Sequence, residues 1–290
     1  MSETHGHGHG HGHGHGHDGG GADMAEVLDL DAVVFADLLA DIVSGLPVAD
    51  APGRIVDLGA GTGVGTFALL ERFPDAHVTA LDSSAAHLRR LQEKADGAGW
   101  AGQVDVVPAD LDAEALPLGT PDLVWASASL HHVADPDRVL RRVREALAPD
   151  GLLVVVEIDG FPRFLPDDAP EDRPGLEARC RAVADRLAMA QMPHRNADFT
   201  PLLEAAGFRV EQHRTVTATV DGSQSGAVHR YAFEGLRRLR DGVADELSGE
   251  DLAALDRLVD SDGPGSILRR DDLVVRTTRP VWAVRPNARD

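Results

Sequence analysis

Apolar residues in this chain fall into two spacings that take turns along its length. From Ala25 to Leu46, Val27, Leu28, Leu30, Val34, Leu38, Ile42 and Val43 recur every three or four residues. This predicts an amphipathic helix or helix pair, ended by Gly45 and Pro47. Ile55, Val56 and Leu58 then form a short apolar run read as a buried strand. Gly59, Gly61 and Gly63 follow, and helical spacing resumes over Val64 to Phe73 with Phe67, Leu69 and Leu70. His77 to Leu81 alternates as a second strand ending at Asp82. A helix carrying Leu88 and Leu91 comes next, with Ser83 or Ser84 at its cap. Val104 to Val107 and Asp122 to Ala126 read as third and fourth strands. Asp135-Pro136 opens a helix striped by Val139, Leu140, Val143 and Leu147. Leu152 to Ile158 is an apolar run interrupted only by Glu157, as a central parallel strand is. Strands alternating with helices predict an α/β class, doubly wound on a mostly parallel sheet.

The remainder divides differently. Residues 161–198 read as a helical insertion or lid, proline-broken at first and then helical from Gly175 to Met192. Thr200-Pro201 caps a further helix ending at Gly207. Phe208 to Val220 alternates as a strand, with a bulge expected near Gln212-His213. Helices are expected over Val228–Val243 and Ser248–Val259. Leu273 to Val284 reads as a last strand, in which Pro280 suggests a bulge or an edge contact. The expected domains are a disordered tail (1–23), an N-terminal helical cap (24–50), a ligand-binding core (51–160), the insertion (161–198) and a C-terminal part of the sheet (199–290).

Composition narrows the function classes. The formal net charge of −20 keeps the chain in solution and repels phosphate backbones, so a nucleic-acid substrate is disfavoured. One cysteine, Cys180, allows neither an intrachain disulfide nor a thiolate metal cluster. No apolar run approaches a membrane span and the start lacks a signal-peptide core, so a cytoplasmic protein without a membrane partner is expected. The tail alternates His5, His7, His9, His11, His13, His15 and His17 with glycine. Its imidazoles would take up divalent metal, adventitiously in the preferred reading, and no metal site is expected in the core.

Strand, glycine turn, helix is the start of a nucleotide-binding α/β sheet, because glycine lets the backbone approach a ligand and adopt positive φ. The dinucleotide fingerprint G-x-G-x-x-G would need glycine where Val64 stands. The actual run, Val56-Asp57-Leu58-Gly59-Ala60-Gly61-Thr62-Gly63, resembles the first motif of class I S-adenosylmethionine-dependent methyltransferases. Leu130-His131-His132-Val133, Asp135-Pro136, the helix and Pro149-Asp150-Gly151 resemble the second half of that core. The resemblance covers residues 50–160 well and the rest more weakly. It implies about seven strands with an antiparallel last one, and S-adenosyl-L-methionine as cofactor. It also implies a cofactor site drawn from Asp57, Gly59, Ala60, Gly61, Gly63, Asp82, Ser83, Asp110, Leu111, Ser127 and Ala128. Within that set, Asp57 orients the glycine loop or meets the methionine ammonium, and Asp82 accepts the ribose hydroxyls. Asp110, or Asp112 after a two-residue loop shift, holds the adenine amino group, and Leu111 packs on the ring. Ser127 and Ala128 lie near the amino-acid part.

Methyl transfer needs two aligned partners and the handling of one proton. His131, just past the fourth strand, is the candidate base, with His132 pointing elsewhere if the local chain is extended; a carboxylate acceptor would need no base. Glu157 and Asp159 are further pocket candidates. The Asn/Asp-Pro-Pro-aromatic motif of nucleic-acid amino-methyltransferases is replaced by Ser127-Ala128-Ser129-Leu130. With the charge, this points to a small-molecule acceptor, methylated on oxygen or nitrogen rather than carbon. Two alternatives stay open: a nicotinamide-dependent oxidoreductase, weakened by Val64 and by the lack of a Tyr-x-x-x-Lys pair, and a metal-handling protein acting through the tail. A homodimer is also left open.

Overall fold

In the computed structural model, which describes residues 18–288, two helices, α1 (Asp18–Val34) and α2 (Ala36–Ser44), come first. The helical pattern is thus a pair, broken at Phe35 and ended at Gly45. α1 starts at Asp18, before the residue-24 boundary read from the sequence, while the histidines of the tail, and any metal they would hold, lie outside the described residues. The core alternates β1 (Arg54–Leu58), α3 (Val64–Arg72), β2 (His77–Asp82), α4 (Ala85–Ala98), β3 (Val104–Pro108), β4 (Leu123–Ser127), α5 (Pro136–Ala146) and β5 (Leu152–Val156). The chain ends with α6 (Leu176–Gln191), α7 (Thr200–Ala205), β6 (Phe208–Asp221), α8 (Gly226–Val243), α9 (Gly249–Leu258) and β7 (Val274–Pro286).

Among the described residues seven strands form one sheet in the order β3-β2-β1-β4-β5-β7-β6. β1 to β5 are parallel, and β7 runs against them between β5 and β6. Reversal of the winding between β1 and β4 opens a crevice at the carboxyl ends of the strands, where open α/β sheets take their ligands. β4 shows why both faces are covered: Trp125 packs into one apolar layer and Val124 and Ala126 into the other, each fully buried.

Local sequence chemistry sets some of the helix starts. Ser84 Oγ accepts from the His87 amide, and Asp135 Oδ1 accepts from the Arg138 amide with Pro136 in the first helical turn. Two expectations shift. Thr200 is the first residue of α7 rather than its cap, because its hydroxyl accepts from Trp282 Nε1 at 3.0 Å. Pro280 makes neither bulge nor edge: the irregularity falls between Val210 and Gln212. The β5 pairing of interior β7 stops at Val281, so the missing proline N–H breaks no bond of that ladder.

The C-terminal helix α8 packs back against α1. Tyr231 on α8 donates its hydroxyl to Asp31 Oδ1 on α1 at 2.6 Å and meets the Phe35 ring edge-on at 5.6 Å. In the insertion, buried Glu177 accepts from the amides of Phe164 and Leu165 and from Arg181, so its charge is met on every side. No helix among the described residues is long and apolar enough to cross a membrane.

Candidate active site

A cavity of about 540 Å³ lies over the carboxyl ends of β1, β2 and β4, roofed by α1 and α2. Of the residues expected to bind cofactor, Asp57, Gly59, Ala60, Gly61, Asp82, Ser83, Asp110, Leu111, Ser127 and Ala128 line it.

The glycine turn has φ of +70° at Gly59, +55° at Gly61 and +89° at Gly63, all in the left-handed region. The three positions are not equivalent. A Cβ at Gly59 would stand 2.5 Å from Ser129 Cβ, so glycine lets the turn close on the loop after β4. A Cβ at Gly61 would meet Leu28 Cδ1 of α1 at 3.2 Å. Gly63 is absent from the lining: it precedes α3, and a Cβ there would strike Phe67 and Leu91 at 2.7 and 2.8 Å. The structure thus sets Gly63 against Phe67 and Leu91, outside the cavity lining.

Asp57 is buried and accepts from Thr66 Oγ1 at 2.6 Å. Burial first, and then the charge of Asp82, push its carboxyl up to about 7 against the opposing Thr66 bonds. Asp82, at the end of β2, accepts from the Gly61 amide through Oδ2 and from the Ser84 amide through Oδ1, both at 2.8 Å, and stands 3.5 Å from His87 Nδ1. Burial would raise its pKa. The His87 ring and the two amides outweigh burial and hold it below the usual value. Beyond β3, Asp110 Oδ1 accepts only the local Asp112 amide. Asp112 is engaged more fully, by the Ala134 amide at 3.1 Å and by Arg138. Of the two readings for that loop, Asp110 keeps the freer carboxylate. Ala128 sits at φ +50°, costly for a residue with a Cβ, and its amide donates to Val156 O at 2.8 Å.

The two histidines exchange the places expected for them. Leu130–His132 is a 3₁₀ turn rather than extended chain, and it swings His131 inward, away from the cavity lining. His131 is buried with Nδ1 2.6 Å from Glu157 Oε2, and Glu157 Oε1 accepts from the Leu130 and His131 amides. Glu157 is spent on this turn and does not line the cavity, nor does Asp159. His132 does line it, with its ring centroid 4.1 Å from that of His131. Desolvation first, then the His131 ring, hold the His132 imidazole below its ordinary value, so it is neutral at pH 7.

The sequence reading did not single out Asp31, His87, Ser129 or Arg279, all of which line the cavity. Arg279 is the one lysine or arginine among the lining residues, which also include Asp31, Asp57, Asp82, Asp110 and Asp112. Its local signal, an arginine before Pro280 in the last strand, means nothing until β7 is known to lie beside β5. Among the described residues no group of three or more histidine, cysteine or acidic side chains is arranged to hold a metal ion. The lining suits a ligand that carries positive charge and hydroxyl groups.

A family model described as a methyltransferase domain matches residues 56–153. The chain is 31% identical over 226 residues to the trans-aconitate 2-methyltransferase of Paracidovorax citrulli, across 77% of this chain and 84% of that protein. Over 112 residues it is 38% identical to the malonyl-(acyl-carrier protein) O-methyltransferase of Laribacter hongkongensis, across 37% of this chain and 38% of that one. The solved structure of a candidate methyltransferase from Bacillus halodurans aligns with a TM-score of 0.54 at 17% identity, across 86% of this chain and 99% of that one. At that identity the likeness concerns the fold alone.

Proposed function

The chain belongs to the class I S-adenosylmethionine-dependent methyltransferases, and on that premise we propose that it methylates a carboxylate oxygen of a small polycarboxylic acid. Membership sets aside the nicotinamide alternative. The acceptor reading draws on the relatives: one is named for trans-aconitate and another for a malonyl group.

The single observation that carries the reading is the glycine-turn cavity with Asp57 and Asp82 at its wall. It fits the cofactor on its own chemistry. Gly61 leaves a cradle that a side chain would fill, and four lining side-chain polar atoms, Ser129 Oγ, His87 Nε2, Trp125 Nε1 and Arg279 Nη1, are buried without a partner. In this reading Asp82 and Ser83 take the ribose hydroxyls, Asp110 and Leu111 the adenine. Asp57, the amides of Gly59 to Gly61, Ser127 and Ala128 take the amino-acid end. When bound, S-adenosylmethionine supplies an electrophilic methyl on a positively charged sulfur.

The residues of the chain contribute alignment, charge and exclusion of water. The lining aspartates favour a cationic ligand. Ala60, Leu28, Phe35, Leu38 and Ile42 close the cavity with apolar surface and hold two bound partners in one geometry. A general base is not required, since a carboxylate reaches the site already deprotonated. That agrees with the way His131 is fixed on Glu157. His132 is the lining histidine, and we assign it to the acceptor side as a neutral hydrogen-bonding group.

Incubation with methyl-labelled cofactor and a panel of di- and tricarboxylic acids, amines and phenols tests this. The expected product is a methyl ester whose label is released by mild base. Label that resists base, or that goes only to amines or hydroxyls, would overturn the acceptor reading and leave the family assignment untouched.

A further inference from the structure

We infer that Arg279 binds a carboxylate of the acceptor other than the one that takes the methyl group, and so sets the specificity of the enzyme for acids with at least two carboxylates. This rests on the carboxylate-acceptor reading above.

The sheet order works as a ruler along the cavity. Asp82 and Asp110 stand at the ends of β2 and β3, on one side of the glycine turn. Arg279 stands on the other, on β7 beside the end of β5, where the Glu157 amide donates to Pro280 O at 3.0 Å. With adenosine on the β2–β3 side, the acceptor side is the β5–β7 side. Electrostatics give the same direction. Asp31, Asp82, Asp110 and Asp112 along the lining repel an anion, and among the described residues Arg279 is the one permanently cationic side chain that lines the cavity.

Arg279 is poorly matched within the chain. Its side chain is 12% exposed, and among the described residues its ion pair is Nη2 to Asp31 Oδ1 at 3.4 Å, long for a charge-assisted bond. The same Asp31 oxygen already accepts the Tyr231 hydroxyl at 2.6 Å. Nη1 is buried with no partner. The guanidinium also lies 5.9 Å from the Phe35 ring, which fixes its position without satisfying its hydrogens. A forked cation with one arm loosely held and the other empty suits a bidentate anion, and carboxylate has the matching geometry. A carboxylate held this way has one lone pair on each oxygen engaged and its charge offset, which makes it the poorer nucleophile, so a second carboxylate takes the methyl. Asp31 then acts as an internal competitor for the site.

Competition gives the inference a test that a simple α1–β7 latch would fail. The full-length protein saturated with S-adenosylhomocysteine is titrated calorimetrically with trans-aconitate, as parent, Arg279→Gln, Arg279→Lys and Asp31→Asn. Arg279→Gln should weaken trans-aconitate binding roughly 10- to 100-fold, the loss of a hydrogen-bonded charge partner, with S-adenosylhomocysteine affinity unchanged. Arg279→Lys should recover part of the loss. Asp31→Asn keeps an oxygen for Tyr231 but removes the competing charge, and should bind trans-aconitate more tightly than the parent. Were Arg279 only a latch, both Arg279→Gln and Asp31→Asn would weaken binding of both ligands, and the inference would be overturned. Unchanged trans-aconitate binding in a folded Arg279→Gln protein would overturn it too, leaving the acceptor reading standing. If the parent binds neither trans-aconitate nor tricarballylate and methylates an uncharged acceptor instead, the acceptor reading falls and this inference falls with it.

Discussion

His131 is bound through Nδ1 to Glu157 Oε2 at 2.6 Å, and the same carboxylate accepts the amides of Leu130 and His131 through its other oxygen. One acid at the end of β5 therefore holds the whole turn that follows β4. A carboxylate only accepts, so the His131 proton is on Nδ1 and the ring is oriented by that bond. His131→Ala should leave a buried acceptor without its partner and cost about 1–3 kcal/mol of stability, read from urea unfolding. Affinity for S-adenosylhomocysteine should change little. His132→Ala should be the reverse, with near-parental stability and a raised KM for the acceptor. A large stability loss in His132→Ala with none in His131→Ala would exchange the two roles.

The contrast shows what could be read in advance. The run from Ile55 to Phe73 is legible because strand, turn and helix each follow from neighbouring residues, and β1 and α3 fall within one residue of the pattern. Asp82 is legible for the same reason, as the last residue of an alternating strand. The histidine pair is not. Whether Leu130–His132 is extended or a 3₁₀ turn depends on Glu157, 26 residues further along. Arg279 is less legible still: its meaning depends on β7 inserting beside β5 and on Asp31, 248 residues away. The helical start at Asp18, through a run of glycines with poor helix propensity, is likewise outside what local pattern reports.

The three glycines of the turn should separate by phenotype. Gly63→Ala forces a Cβ at positive φ into Phe67 and Leu91, so the expected effect is on stability, on the order of 1–3 kcal/mol. A Cβ at Gly61 meets only the tip of Leu28 among protein atoms, within a cavity-lining stretch, and Gly61→Val carries the strain of a β-branched residue at φ +55°. It should fold and lose S-adenosylhomocysteine binding in calorimetry. Unchanged affinity in a folded Gly61→Val protein would remove the turn from the cofactor site.

Asp82 couples the ribose side of the cavity to the turn, since it accepts the Gly61 amide at 2.8 Å. Asp82→Ala should lose about 1–3 kcal/mol of cofactor affinity. Asp82→Asn preserves an acceptor for that amide and should lose less. The ribose role is isolated with a 2′-deoxy analogue of S-adenosylhomocysteine. Its penalty should be large in the parent and small in Asp82→Ala, and equal penalties in the two proteins would assign Asp82 to the turn alone.

Asp57 should make both stability and cofactor binding depend on pH near neutrality. Its folded value of about 7 stands above the ordinary 3.8 because burial, and then the charge of Asp82, disfavour the carboxylate more than the Thr66 bonds favour it. Between those values the folded protein holds a proton that the unfolded chain has released. Stability contributed by this group is therefore present below about pH 4, declines as pH rises through the window, and levels off above about 7. The full amplitude across that window is roughly 4 kcal/mol, at about 1.36 kcal/mol per pH unit. Asp82 and Asp251 are shifted the other way, so the raw profile mixes opposite slopes. The difference between parent and Asp57→Asn isolates the term, because asparagine still offers an oxygen to Thr66. In that difference the variant should gain on the parent as pH rises from about 4 to 7. Ligand binding should show the matching effect. A cationic ammonium placed beside Asp57 favours its ionised form, so S-adenosylhomocysteine should bind with proton release and tighten by up to about tenfold between pH 6 and 7. The Asn variant should bind without that slope. Calorimetry in two buffers of different ionisation enthalpy measures the proton count directly, and a count of zero in the parent at pH 6.5 would place the ammonium away from Asp57.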